Sequence, residues 1–256
     1  MTFQNYDENE HFQNIHTAVT ELLSIIDTNY GIAQSDTQQN YLSFGIKELD
    51  KEAIGIPHQG LTVITSKKKQ PQQILSAKII IQNAMTDNKN VVVVSPPQDI
   101  KSFTFRLISH LSAVELNRFY KGLMDDDEWR RYETSFTKLP YNIDFFVDPY
   151  VTTDSLCNEI YERKEKTQAV DLIVINDLSF IDRDIYKATL KLSLFAKKNN
   201  ISIVALHCYG SKKEIVENGL FAHSDLLLTI KKKHNKFKIN VLKNALSDDD
   251  GQFKLI

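Results

Sequence analysis

Short runs of consecutive apolar residues alternate along this chain with longer segments of helical periodicity. Apolar residues on both faces of a short strand are typical of a mainly parallel sheet that is covered by helices. The runs predict such strands at Leu61 to Thr65, Val91 to Val94, Ile143 to Val147, Leu172 to Ile175 and Ile201 to Leu206. Closing, partly antiparallel strands are predicted at Leu226 to Ile230, Lys236 to Leu242 and Gln252 to Ile256.

Helices are predicted between these strands, where apolar residues recur every three or four positions. They are expected from about Ile100 to Leu111, through Trp129 to Lys138 behind the acidic run at 125–128, from a Thr153 cap through Lys164, and from Tyr186 to Lys198. The alternation of strand and helix predicts an α/β protein.

Residues 1–40 differ from residues 41–256 in their pattern of polar and apolar residues. Met1 to Gln13 and Asp27 to Asn40 are polar, whereas Ile15 to Ile26 carries apolar residues with a helical period. We therefore expect an N-terminal extension, 1–40, with one helix and a linker, and a main domain, 41–256. The helix would pack on the main domain or dock onto a partner.

Composition narrows the class of protein. The 256 residues are 42% hydrophobic, which is enough for the core of one large domain, and the formal net charge of -2 provides no global attraction to nucleic acid. The two cysteines are far apart and favour free thiols in a reducing compartment. The polar start resembles no secretory signal and the apolar runs are too short to cross a bilayer, so we expect a cytoplasmic protein without a membrane partner.

The segment Leu61 to Ala84 has the order strand, loop, helix in which nucleotide-binding α/β proteins hold phosphate. The loop is expected at Ser66 to Gln72 and the helix from about Gln73. The segment contains no glycine after Ser66, and Pro71 removes one backbone N–H donor. The sequence therefore predicts the strand, loop and helix of a phosphate site, but it lacks the glycines and one of the N–H donors that would bind the phosphate.

An ordered set of phrases over about Tyr41 to Ile256 resembles the C-terminal RecA-like motor domain of DnaB-type replicative helicases. The phrases are FGIKELD, VVVVSPPQDIKSFTFRL, GLMDDDEWRR, IDFFVDPYVTTDSL, LIVINDLSFI, ISIVALHCYG and HSDLLLTI. The resemblance implies a RecA-like P-loop NTPase fold and, in the family, ATP-dependent DNA unwinding.

The functional residues of that family do not recur at the matching positions. Its phosphate loop, GxxxxGK followed by Ser or Thr, falls on Lys67 to Ile74, where the Lys becomes Gln73. At the other positions, Gln72 stands in place of a Gly, Ile74 in place of a hydroxyl residue and Pro97 in place of a Glu. Asn176 stands in place of an Asp, Cys208 in place of a Gln and Ala245 in place of an Arg finger, and Lys243 alone matches. Phosphoryl transfer depends on these groups for positioning and for neutralising charge. The resemblance therefore implies a degenerate site with no catalytic residues.

Lysines supply the remaining candidates for binding. Lys67, Lys68 and Lys69, with Gln73, would hold a nucleotide phosphate in an atypical loop, or form a solvated charge run. Nucleic-acid phosphates would contact Lys212, Lys213, Lys231, Lys232 and Lys233, although the last three also suit a polar hairpin. Asp177 would cap a helix or hold a metal. His207 and Cys208 are adjacent on a strand and point to opposite faces, so no metal site is predicted.

Three functions remain open at this stage. The first is a protein that does not hydrolyse ATP, needs no cofactor, and binds or scaffolds other proteins in DNA replication, either replication proteins or copies of itself. The second is an atypical ATPase or helicase that uses ATP and Mg²⁺. The third is a module that binds single-stranded nucleic acid.

Overall fold

The computed structural model describes residues 41–245, apart from 140, 167–168 and 234–235. The helix predicted at Ile15 to Ile26 and the strand predicted at Gln252 to Ile256 lie outside the described residues. The extension 1–40 therefore stays a prediction.

A short antiparallel pair is formed by β1 (Tyr41–Leu42) and β2 (Ile56–Pro57). The strands of the main sheet are β3 (Leu61–Ser66), β4 (Val91–Val94), β5 (Ile143–Phe146), β6 (Leu172–Ile175), β7 (Ser202–Cys208), β8 (Leu226–Lys233) and β9 (Lys236–Asn244). These seven strands have the spatial order β5-β4-β6-β7-β3-β8-β9. All neighbouring pairs are parallel except β8 with β9, which confirms the mainly parallel sheet with an antiparallel strand at its end.

Helices connect the strands. They are α1 (Lys47–Ala53), α2 (Lys69–Ile81, continued by a π turn at Gln82–Thr86), α3 (Pro97–Ser112), α4 (Leu116–Lys121), α5 (Asp126–Thr137), α6 (Thr153–Glu165), α7 (Leu178–Ile181), α8 (Ile185–Asn199), α9 (Lys212–Glu217) and α10 (Leu220–His223). Within the described ranges, no helix is long and apolar enough to cross a membrane.

Two cores cover the two faces of the sheet. Successive residues of a strand point to opposite faces, so Val91 and Val93 enter one core while Val92 and Val94 enter the other. Helices α2 and α3 pack on the first face and α6 and α8 pack on the second. The sheet is thus buried on both sides, as its apolar strands predict.

Several helix starts, including those of α2, α3 and α6, differ from the prediction, that of α3 by three residues. Thr152, rather than Thr153, is the N-cap of α6, because its hydroxyl accepts a hydrogen bond from the Ser155 N–H and Ser155 completes a reciprocal capping box. Helix α2 begins at Lys69, four residues before the predicted Gln73. The early start of α2 changes the candidate site.

Candidate functional site

The candidate site lies at the carboxyl ends of the parallel strands, where α/β folds commonly bind ligands. The ends of β3, β7, β6 and β4 lie side by side there, followed by α2, the Gly210 turn, Asn176 and Ser95. Each residue that the family resemblance assigns to nucleotide binding on these strands therefore comes to one edge of the sheet.

Helix α2 replaces most of the predicted phosphate loop. Only Lys67 and Lys68 separate β3 from α2, so six of the eight residues from Lys67 to Ile74, namely 69–74, are helical. The predicted loop from Ser66 to Gln72 is therefore wrong. Pro71 is tolerated in the first turn, where N–H groups have no partner within the helix, and glutamines are good helix formers, so this sequence favours a helix over a wrapped loop.

Lys69 is turned towards β6 by an ion pair. Its Nζ atom lies 2.7 Å from the Oδ2 atom of Asp177, whose carboxylate also accepts a hydrogen bond from the Ser179 N–H and so caps α7. The hydrogen bond with Asp177 raises the pKa of Lys69, against a smaller opposing effect of burial. Asp177 therefore has the capping role, and its charge is matched by Lys69.

Gln72 is buried between α2 and β7. It is 2% exposed, and its Nε2 atom donates a hydrogen bond of 2.6 Å to the carbonyl oxygen of His207. The thiol of Cys208 lies 3.6 Å from the Oε1 atom of Gln72. The side chain at the position of the family's last loop glycine thus ties α2 to the edge of β7.

The remaining polar groups at this edge are buried. Asn176, at the end of β6, donates a hydrogen bond of 3.2 Å to the Ser95 hydroxyl, and burial lowers the pKa of His207. Among the described residues, Oδ1 of Asn176 and Nδ1 of His207 are buried without a hydrogen-bond partner. No group of three or more His, Cys, Asp or Glu side chains in that part of the chain is arranged to hold a metal ion.

The other residues of the candidate nucleotide site do not converge. Lys67 and Lys68 are exposed in the two-residue connection, which the Ser66 hydroxyl closes by donating a hydrogen bond to the Lys68 carbonyl. Gln73 lies in the second turn of α2 and is half-buried. A phosphate group would therefore meet exposed lysines on a connection that has no glycine to wrap it.

The two residues at the positions of the family's Lys and Arg finger, near the end of the domain, make contacts within the protein. Lys243 on β9 donates hydrogen bonds of 2.9 and 3.2 Å to the carbonyl oxygens of Phe221 and Ala222. Ala245 is exposed, and its N–H donates to the carbonyl oxygen of Asp225. Lys243 thus holds α10 against β9.

Three lysine groups lie at the same edge of the sheet. Lys67 to Lys69 follow β3, Lys212 and Lys213 open α9 after β7, and Lys231 to Lys233 end β8, and β3 lies between β7 and β8. Lys213 is paired with Glu217 at 2.8 Å, and Lys231 is exposed opposite Lys238 in the β8–β9 hairpin. The lysines predicted to contact nucleic acid therefore lie at the same edge of the sheet as the lysines predicted to contact nucleotide, after adjacent strands.

Comparison with known families identifies this arrangement. The family model described as the DnaB-like helicase C terminal domain matches residues 42–226. The chain belongs to this family. The resemblance to the DnaB type that the sequence suggested is thereby confirmed.

Curated relatives and solved structures agree with the DnaB family. The chain is 21% identical over 207 residues to the replicative DNA helicase DnaB of Helicobacter pylori, covering 77% of this chain and 42% of the relative. It is 21% identical over 216 residues to the DnaB of Buchnera aphidicola, covering 79% and 46%. The chain thus spans less than half the length of these relatives.

A solved DnaB-like replicative helicase, described with its interactions with primase, superimposes with a TM-score of 0.73 at 15% identity, covering 90% of this chain and 66% of that one. A solved ATPase domain gives the same TM-score at 14% identity and covers 91% and 92%. These structures support a RecA-like fold.

Sequence reasoning selected these positions from the family resemblance but missed the contacts that their side chains make. The role of Gln72 was missed because a glutamine beside lysines reads as a surface residue. One signal was available, since Gln-Pro-Gln-Gln followed by Ile-Leu also fits the first turn of a helix with Pro71 near its start.

Proposed function

We propose that this protein is a DnaB-type RecA-like domain that does not hydrolyse ATP and that binds or scaffolds other proteins in DNA replication. The observation that carries this proposal is the start of α2 at Lys69. A phosphate loop presents several backbone N–H groups to one anion from a wrapped, glycine-rich backbone. In this chain the corresponding segment is helical, and Pro71 has no N–H.

The side chains support the same conclusion. Lys69 is paired with Asp177, and Gln72 fills the space between α2 and β7. Neither Gln73 nor Ile74 can supply the charge or the Mg²⁺-binding hydroxyl of the family loop. The residues at this edge therefore do not fit ATP with Mg²⁺, and we assign no catalytic step to them.

Thermal unfolding with and without millimolar ATP and Mg²⁺ tests this proposal. A ligand at 100 times its Kd stabilises a protein by about 2.7 kcal/mol. We expect no change in melting temperature and no phosphate release. A shift that Lys69→Met abolishes and Gln70→Met leaves intact would instead support the atypical nucleotide site.

A replication protein is the proposed partner class. The DnaB-like helicase with the same fold was solved with its interactions with primase. We expect this protein to co-elute with a replicative helicase, a primase or a further copy of itself in size-exclusion chromatography with light scattering. A monomer that retains neither replication protein would contradict the scaffold role.

Binding of single-stranded nucleic acid is the second candidate. The observation that favours it is the placement of the lysine groups after the adjacent strands β7, β3 and β8. Such binding should weaken steeply with salt, because each phosphate contact releases a counterion. We would compare the salt slope for single-stranded DNA between the native protein and a variant with Lys67→Gln and Lys231→Gln; equal slopes would remove this candidate.

A further inference from the structure

Strand β5 forms one edge of the main sheet. In the described part of the chain it pairs only with β4, in parallel, with Val91 opposite Ile143. The N–H of Val91 donates to the carbonyl oxygen of Asn142, and successive residues of a strand direct their backbone groups to alternate sides. The N–H and C=O groups of Ile143 and Phe145 therefore point away from β4, towards the open side of the strand.

The side chains of β5 leave this edge unprotected. Sheet edges are commonly blunted by charged side chains, especially lysine, or by proline. β9, at the other end of the seven strands, contains three lysines, whereas β5 reads Ile-Asp-Phe-Phe and contains none. The charge of Asp144 in β5 is paired with Arg163 of α6. All residues of β5 are half-buried, while those of its neighbour β4 are buried, so a further strand would cover apolar surface as well as backbone groups.

A pocket opens beside this edge, between β5 and α6. Its volume is about 250 Å³, and its apolar lining includes Val92, Phe146 and Ile160. Pockets for small organic ligands commonly enclose about 300–1,000 Å³, so this pocket suits a single side chain better than a small molecule. Asp144 and Phe146 lie on the face of β5 that lines the pocket, and a strand added to β5 directs every second side chain to that face.

The charges around the pocket favour a basic side chain. Three carboxylates and two cations line it, those of Asp144, Glu159, Glu162, Arg163 and Lys166. Asp144 is paired with Arg163. Glu162 lies 3.5 Å from Lys166. Glu159 is exposed and has no ion pair with any other residue that the structure describes. A lysine or arginine from outside can lay its aliphatic stem along the apolar lining and bring its cation to Glu159.

Exposed side chains extend this surface beyond the strand. Val147 directly follows β5 and is 55% exposed, and Tyr141 and Tyr150, on either side of β5, are 86% exposed or more. Tyrosines are enriched in protein interfaces. A bound segment longer than β5 therefore meets these side chains too.

We propose that the open edge of β5 binds an extended segment of a partner protein as an additional strand, with a lysine or arginine of that segment in the pocket beside Glu159. Backbone hydrogen bonds to Ile143 and Phe145 provide affinity, and the pocket provides specificity. A second copy of this chain fits less well, because antiparallel pairing of β5 with β5 brings the surplus carboxylates of both copies to the same face. This inference rests on the proposed binding function and names the chemistry of its partner.

Peptide selection on the full chain tests the proposal. A phage-displayed library of random linear peptides would be selected against the native protein, against Glu159→Lys and against Glu165→Lys. The last variant is the matched control, because it makes the same charge change at an exposed position of α6 outside the pocket. We expect the native protein and the control to enrich a lysine or arginine among β-branched residues, and Glu159→Lys to enrich an acidic residue at that position. An enriched basic peptide should bind Glu159→Lys about tenfold more weakly than the control.

Backbone methylation of the enriched peptide distinguishes strand addition from other modes of binding. In an added strand, N-methylation at every second residue removes a donor to β5 and should weaken binding severalfold, whereas N-methylation at the residues between should leave the affinity unchanged. The proposal is overturned if no peptide is enriched, if a basic peptide binds Glu159→Lys and Glu165→Lys equally, or if both sets of methylated positions have the same effect.

The proposed function is judged by a separate result. Co-elution of the native protein with a replicative helicase or a primase, without peptide binding at β5, would overturn this inference alone. Peptide binding at β5 by a chain that co-elutes with no replication protein would contradict the proposed function and leave this inference standing.

Discussion

The Nζ atom of Lys69 lies 2.7 Å from the Oδ2 atom of Asp177, so the first residue of α2 is bonded to the cap of α7. This contact links the segments that follow β3 and β6. Lys69 lies within the segment that matches the family's phosphate loop. Its positive charge is paired with a carboxylate of the protein itself.

We expect Lys69→Met to destabilise the protein by about 1 kcal/mol or less, since the Lys69 side chain is half-exposed and solvent screens the pair. The folded state raises the pKa of Lys69, so this stabilisation is present below the ordinary value of 10.5 and is lost as the pH rises through the folded value. Urea unfolding at several pH values, with Lys67→Met as the control, measures this. A difference in unfolding free energy between Lys69→Met and the native protein that grows above pH 10.5 would contradict this expectation.

Gln72→Leu should cost more than Lys69→Met. It removes the donor to the His207 carbonyl inside a buried contact, and an unpaired buried polar group costs about 1–3 kcal/mol. The exposed neighbour Gln70 offers a matched control, Gln70→Leu, which we expect to change the free energy of unfolding by less than about 0.5 kcal/mol. Similar losses for both variants in urea unfolding would mean that the Gln72 contact contributes little.

The two thiols should react in a fixed order. Burial raises the pKa of Cys157 to about 12 and raises the pKa of Cys208, which is half-buried at the sheet edge. Because the thiolate is the reactive form and access is needed, iodoacetamide at mildly alkaline pH should modify Cys208 first. Mass spectrometry over time follows the reaction, and both thiols should react at similar rates in urea. Earlier modification of Cys157 in the folded protein would be the contrary result.

Point substitutions should not restore nucleotide binding. Gln73→Lys with Asn176→Asp returns two family residues, but position 73 stays in the second turn of α2. We expect no ATP-dependent melting shift from this double variant. A second variant in which residues 67–74 carry a glycine-rich GxxxxGKT sequence separates loop shape from side-chain identity. A shift in the double variant would show that the helical start is no barrier.

The strands were predictable because β4 and β6 are short, apolar and bounded by polar residues, and the structure places both at their predicted residues. The start of α2 was not predictable from periodicity, since the first turn of a helix has no apolar repeat of its own. The contact from Gln72 to the His207 carbonyl joins residues 135 positions apart, so it depends on the packing of α2 against β7. The same applies to the pair between Lys69 and Asp177.

The early start of α2 has a consequence for conformational switching. A wrapped loop at residues 69–72 would require the first turn of α2 to unwind, and unwinding would break the Lys69 and Gln72 contacts together. The two arrangements therefore exclude one another, and a gradual adjustment of side chains cannot connect them. A change from the helical form to the loop form would need a cooperative transition of this turn, and in evolution a change of backbone length or glycine content there.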